Sequence, residues 1–291
     1  MTIANPLKPR RALLALFMLA VLLATLAGAW WFQQRAQRRV QAGSDIVRDI
    51  RAQGLGAFWP EALHVDWYLA RSGKQEVGWR ADVVARIDSD RWSGMQLDVR
   101  PKYQAVQNWE LNRDATVGIY HGQVGTRQAI ASDTSVVLED GAVKVSQQKL
   151  LARSPAPPNY LPEGTFPLAL RLAAQRRTAA QFRMVFDEVL NRRGQVEFGT
   201  ETIEHVGPAK GPGGQDVRRV RAWAVRGDGQ SFEMTYDVDD KGRLVRIAGD
   251  ETELVPVTLR ELIDRFGPVD TVVRRLLPGE IQQRWDEQET F

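Results

Sequence analysis

The stretch YDVDDKGRLVRI, residues 236–247, brings three aspartates, Asp237, Asp239 and Asp240, up against Gly242. These are the residue types of a calcium loop. Such a loop takes oxygen ligands at its first, third, fifth and twelfth positions with glycine at the sixth. Counted from Asp237, glycine falls correctly, but the fifth position is Lys241 and the twelfth is Ala248. The same residues suit a turn between strands, with Asp239 opening a type I turn and Gly242 in the left-handed position after it. The turn is the expected reading. GPAKGPGG, residues 207–214, has the glycines and lysine of a phosphate cradle, but it lacks the Gly-Lys-Ser/Thr ending and precedes no helix. It reads as a linker loop. Arg226, Gly227 and Asp228 spell an adhesion tripeptide whose aspartate serves equally as a hairpin turn residue. His64, His121 and His205 are scattered without the His-Glu-x-x-His spacing of a zinc site, and no Gly-x-Ser-x-Gly elbow occurs. A carboxylate pair for glycoside cleavage requires a separation that sequence does not give. No catalytic, cofactor-binding or metal-ligating residue is therefore expected, and no cofactor.

Charge and cysteine content narrow the field. Six of the 39 lysines and arginines (Lys8, Arg10, Arg11, Arg35, Arg38 and Arg39) precede Val40, which leaves 33 against all 36 acidic residues. The body is slightly acidic despite a pI of about 9.3, so a nucleic-acid partner is not expected. The chain has no cysteine, which removes disulfides, thiol nucleophiles and the lipid-carrying cysteine of a lipoprotein.

The elements that must position any site begin with ALLALFMLAVLLATLAGAWWF, residues 12–32, uncharged from Ala12 to Phe32. As a helix it spans about 31 Å, the thickness of a bilayer's hydrocarbon core. Trp30 and Trp31 close it as an interfacial pair, and Arg35, Arg38 and Arg39 follow. A cleaved signal peptide ending near Ala27–Gly28–Ala29 is the alternative. The apolar run exceeds the about 7–15 residues of a signal core, so an uncleaved anchor is expected. The bilayer is thus the first expected partner, and the location is the cytoplasmic (inner) membrane, single-pass, with the bulk of the chain outside the cytoplasm. Ser44 then looks like the cap of a short helix, a stalk or lid, that stops at Gly54.

From Trp67 onward, short alternating apolar runs separated by turn residues point to antiparallel β structure. A two-residue turn fixes which residues stand opposite each other. Asp140-Gly141 would pair Leu138 with Val143 and Val136 with Val145. Asp228-Gly229 would pair Val225 with Phe232 and Trp223 with Met234. The Asp239 turn would add Leu244 opposite Val238. One apolar face is therefore expected to carry Trp223, Val225, Phe232, Met234, Tyr236, Val238 and Leu244 as core or ligand-contacting residues. Helices around Leu168–Leu172 and Leu259–Phe266 are expected to cover it, with any remaining cavity apolar. Pro155, Pro157, Pro158 and Pro162 mark a connector, and Phe182, Met184 and Phe186 share a face of the strand after it.

WYLARSGKQEVGWRADVVARI, residues 67–87, the YDVDDKGRLVRI ending and the proline-rich connector into a short helix resemble exported half-barrel domains related to lipoprotein carriers. The resemblance implies a curved antiparallel sheet wrapped around helices, sometimes holding an acyl chain. The membrane segment departs from a soluble carrier, and no site residue carries over. The expected fold is mainly β (α+β), an N-terminal transmembrane helix followed by a curved sheet or half-barrel covered by short helices. Its divisions are a basic tail at 1–11, the anchor at 12–32, a juxtamembrane stalk at 33–60, an exported β domain at 61–255 with a connector near 152–165, and a helical segment at 256–291. The expected function is a non-catalytic envelope domain binding a partner protein or an apolar ligand such as an acyl chain. The alternative is an anchored hydrolase acting on envelope glycan.

Overall fold

The computed structural model describes residues 7–126, 130–147, 150–185, 195–226, 229–249 and 251–289. Helix α1 (Leu7–Gln53) is continuous, because its one proline, Pro9, sits in the first turn, where no intrahelical N–H bond is lost, and helix formers dominate from there to Gly54, whose φ of 73° ends it. The separate helix expected at Ser44 does not form. The Ser44 hydroxyl donates to the Val40 carbonyl one turn back at 3.1 Å, inside α1. The apolar part of α1 is long and apolar enough to cross a membrane, and Leu16, Phe17, Trp30 and Phe32 are exposed along it. Farther on, α1 is no stalk. Ile46, Val47 and Ile50 are buried in the same core as Tyr68 and Phe182.

Among the described residues fourteen strands follow: β1 (Leu63–Ser72), β2 (Gln75–Arg86), β3 (Arg91–Val99), β4 (Gln104–Asn112), β5 (Gly118–Gly125), β6 (Ile130–Glu139), β7 (Ala142–Gln147), β8 (Leu150–Pro155), β9 (Ala179–Met184), β10 (Gly199–Lys210), β11 (Asp216–Val225), β12 (Ser231–Val238), β13 (Leu244–Ala248) and β14 (Glu253–Pro256). All belong to one antiparallel sheet that is not closed into a barrel, ordered β8-β7-β6-β5-β4-β3-β2-β1-β14-β13-β12-β11-β10-β9. Two meanders, β1–β8 and β9–β14, meet where Leu69 stands opposite Val255. Helix α2 (Phe166–Arg176) lies between β8 and β9 in sequence, and α3 (Leu259–Phe266), α4 (Val269–Leu276) and α5 (Gly279–Glu289) end the chain.

One core gathers Tyr68, Trp92 and Leu111 from β1, β3 and β4 with Phe182, Ile203, Val220 and Tyr236 from β9 to β12, around Leu168, Leu170 and Leu172 of α2. Strands so far apart in the order can share a core only if the sheet curls around α2. The edges approach each other as well. Val136 and Val145 of β6 and β7 cluster with Tyr160 and Val185, and the connector lies along β9, Leu161 N donating to Arg183 O at 2.9 Å and Arg183 N to Asn159 O at 3.0 Å. This covers part of an edge that would otherwise be open.

The convex face carries its own core. Leu262, Val273, Ile281 and Trp285 from α3, α4 and α5 pack on Trp67, Leu69, Ala81, Met95 and Leu97. The helix at Leu259–Phe266 therefore covers the outside of the sheet, and only the one at Leu168–Leu172 covers the inside. Thr258 and Glu261 start α3 with a reciprocal capping box.

Two hairpins follow the register expected of their turns. Val136 faces Val145 and Leu138 faces Val143, with Asp140 and Gly141 both at positive φ. Val238 faces Leu244, with Gly242 at φ 82°. The β11–β12 hairpin differs by one residue. Ala224 faces Phe232, Trp223 faces Glu233 and Val225 faces Ser231. Arg226 N donates to Gln230 O at 2.8 Å, so the loop holds three residues rather than two, and a one-residue slip reverses the faces. Gly227 and Asp228 of the tripeptide, and Phe186, lie outside the described residues.

Candidate functional site

The inside of the curled sheet is not filled. A cavity of about 350 Å³ lies between β2–β5 and β9–β13, with Phe166, Pro167 and Leu170 of α2 over it. Met184, Phe232, Met234, Tyr236, Leu244 and Ile247 give it apolar walls, while Arg80, Gln96, Gln107, Tyr120, Glu163, Glu201 and Arg226 add polar ones. The cavity is thus mixed, not purely apolar as expected. Its volume falls at the low end of the roughly 300–1,000 Å³ usual for small-molecule sites.

Trp109 lines a smaller pocket beside this cavity, which shares Arg80, Gln96, Gln107, Tyr120, Glu163 and Pro167 with it. Its ring stacks on Trp59 at 5.5 Å and lies against two glycines. A Cβ added at Gly94 would come within 2.2 Å of the ring, and one at Gly164 within 2.5 Å. Glycine at both positions is what lets an indole lie flat against a strand and the turn before α2.

The cavity's polar groups differ in how they are satisfied. Arg80 donates to both oxygens of Asp82 at 2.6 and 2.7 Å and sits 5.9 Å from the centre of the Tyr68 ring, so its charge is neutralised on the spot. Glu163 accepts from Val185 N at 3.2 Å and from Tyr160. Glu201 is 5% exposed, and no hydrogen bond from a described residue reaches it. Burial alone pushes its carboxyl up to about 8, so the group is mainly protonated at neutral pH. Arg226 follows directly on β11, two residues past Ala224, the register partner of Glu201. Its Nε is buried without a hydrogen-bond partner, and its guanidinium lies 5.7 Å from the centre of the Phe232 ring.

Of the face expected from sequence, Phe232, Met234, Tyr236 and Leu244 line the cavity, and Val238 is buried in the inner core. Trp223 and Val225 point the other way. Trp223 lies outside, between the guanidinium groups of Arg39 at 5.4 Å and Arg221 at 5.3 Å, and Val225 is exposed. Glu201, Arg80 and Arg226 were not anticipated. Glu201 is in phase with Ile203 on GTETIEHV, a carboxylate where the alternation calls for an apolar residue, and that signal could have found it.

The other candidates resolve differently. Asp237, fully buried, takes Arg219 at 2.8 and 2.9 Å and Arg246 at 3.4 Å. Asp239 accepts from the Arg243 amide and guanidinium, as a turn residue does. His64 lies between Asp66 at 3.0 Å and Glu61 at 3.3 Å, and chiefly the bond to Asp66 pushes its pKa up to about 9. It is thus an imidazolium at neutral pH, a poor general base. No cluster of three metal-ligating side chains occurs among the described residues. GPAKGPGG is no linker: β10 continues through Lys210 and β11 resumes at Asp216.

No protein-family model matches the chain, and no curated protein matches it. Among solved structures, the chain is similar to a β-barrel-like protein of the domain of unknown function DUF1849 from Brucella abortus, at 11% identity and a TM-score of 0.50, over 68% of this chain and 96% of that one. A DUF1089 family protein from Pseudomonas aeruginosa matches at 11% identity over 59% of this chain and 89% of that one. Its TM-score of 0.31 is too low to carry an argument. At such identity the first likeness speaks to fold alone, and it places this chain among barrel-like β proteins.

Proposed function

We propose that the chain is a single-pass envelope protein, anchored in the cytoplasmic membrane by residues 12–32, whose curled sheet binds an acidic amphiphile without chemical change. The cavity carries this reading: a mixed chamber of about 350 Å³, with apolar walls beside an arginine with an unpartnered Nε and a buried, protonated glutamic acid. Arg226 would pair with the ligand's carboxylate or phosphate. Protonated Glu201 can donate a hydrogen bond to the same head, and the methionines and aromatic rings take the acyl body. An acyl ligand also agrees with the resemblance to lipoprotein-carrier half-barrels. A small ligand is favoured over a protein partner because these side chains converge on a chamber instead of an open surface.

The glycan hydrolase reading has in its favour that Glu163 and Glu201 both line the cavity. Glu163, however, is held by Val185 and Tyr160, which suits a structural carboxylate better than a catalytic one. The test is to purify the full chain in detergent, extract bound small molecules and identify them by mass spectrometry. An acidic lipid enriched in the wild type and lost in Arg226→Ala is the expected result. Release of soluble fragments from cell-wall glycan, abolished by Glu201→Gln, would favour the hydrolase instead.

A further inference from the structure

The end of the β10–β11 hairpin beyond Glu204 is the feature that the cavity does not use. Its orientation follows from three contacts. Gly43 of α1 packs directly on Gln181, where an added Cβ would come within 2.0 Å of the carbonyl oxygen, and Gln181 is the register partner of Thr202. Arg35 and Arg39 of α1 both reach Glu204, at 3.2 and 3.4 Å. Moving from Thr202 to Glu204 along β10 therefore moves backward along α1, toward its apolar segment.

The strand continues in that direction beyond its neighbours. β9 pairs with β10 only as far as Glu204, and β12 with β11 only as far as Arg218. β10 thus runs on past β9 as an edge strand, an arm backed by β11 and β12 as far as Pro208, the register partner of Arg218, and beyond it β10 and β11 continue alone to a turn at Gly211–Gly214, with Gly211 N donating to Gln215 O at 2.9 Å. From the level of Glu204 to Phe32, α1 descends about 7 Å, at about 1.5 Å per residue. The arm from Glu204 to Gly211 extends about 23 Å at about 3.3 Å per residue, and still covers about 16 Å along the helix if inclined by about 45°. At that inclination its tip reaches the level at which the apolar segment of α1 begins.

We infer that the tip of this hairpin rests in the phospholipid headgroup layer of the membrane that α1 crosses. The inference rests on the anchor reading above. Composition agrees with place. VGPAKGPGGQ, residues 206–215, contains a lysine and no acid, and Val206, the bulged residue between His205 and Gly207, is 59% exposed. Val206 and Pro208 are exposed on β10 past the end of β9, and Pro212 is exposed in the turn, and an interface gives those residues an apolar medium. The surroundings are basic: Arg177 and Arg218 stand close enough to His205 to help burial lower its pKa, and Arg38 is exposed on the same stretch of α1. Lys210 pairs with Asp216 at 2.7 Å, but both are well exposed, so water and salt screen the pair. The base of the arm therefore suits anionic headgroups.

The chain's lack of cysteine makes the test direct. Gly213→Cys adds a Cβ that meets only the flexible end of Gln215, and Ser231→Cys, at the opposite end of β11–β12, serves as control. Each full-length variant is labelled with an environment-sensitive dye and reconstituted in phosphatidylethanolamine–phosphatidylglycerol vesicles containing a headgroup spin label. The expected result is blue-shifted emission at 213 that loses most of its intensity to the quencher, with emission at 231 unchanged. Protein that floats with the vesicles while its label at 213 stays as solvated and unquenched as that at 231 overturns the inference alone. Protein that fails to float removes the anchor, and the inference with it.

Discussion

The two faces of the sheet are built on different terms. Outside, α3 to α5 bury Leu262, Val273, Ile281 and Trp285 against Trp67, Leu69 and Leu97 in a wholly apolar core. Inside, α2 and the end of α1 leave a cavity and keep Arg80, Glu201 and Arg226 in its walls. The chain can make a closed core, as the convex face demonstrates. An unfilled interior holding a carboxyl with no hydrogen-bond partner among the described residues is therefore a feature to be explained by use, since burying such a group costs stability.

The largest expected effect tests the concave side. Glu201 titrates near 4.5 when unfolded and about 8 when folded, so the folded state holds its proton more tightly. Stability is then fully present below pH 4.5, falls as pH rises to about 8 and is flat beyond, a loss of up to about 5 kcal/mol. Urea unfolding across that range should show the slope in the wild type and its removal in Glu201→Gln. The same slope in both proteins would place its origin elsewhere.

Trp285→Ala tests the convex side. Trp285 packs edge-on against Trp67 at 6.3 Å, and its truncation should cost about 3–5 kcal/mol. Denaturation should register that loss without altering ligand binding. If ligand binding falls in step with stability, the two faces are not independent. Gly43→Ala should cost about 1–3 kcal/mol, because the added methyl meets the Gln181 backbone and must displace α1. Calorimetry would detect it. Trp223→Ala should cost only about 1 kcal/mol, since that ring lies outside against Arg39 and Arg221. A loss as large as that of Trp285→Ala would return Trp223 to a core.

Much of the fold is legible in the sequence, because alternation and turn chemistry are local. Asp140-Gly141 and Asp239 through Gly242 set registers that the sheet keeps. The face of Trp223 is not legible, because Asp228-Gly229 serves a two- or a three-residue loop equally well and one residue reverses every side chain. The continuity of α1 through Ser44 is likewise hidden, since serine caps a helix or bonds back within one, and packing against β9 decides. The site was least legible. Glu201 matters because of what the curled sheet brings around it, and no spacing records that the two meanders join at β1 and β14.

The central claim, that the interior is a ligand chamber, is tested most directly by filling it. Met234 lines the cavity, and Met234→Trp occupies that space with an indole. Titrating the detergent-solubilised full-length protein with a fluorescent fatty acid should give saturable binding in the wild type. The variant should bind at least about tenfold more weakly, 1.4 kcal/mol or more, with its melting temperature maintained. Equal affinity in a folded Met234→Trp protein would contradict the account.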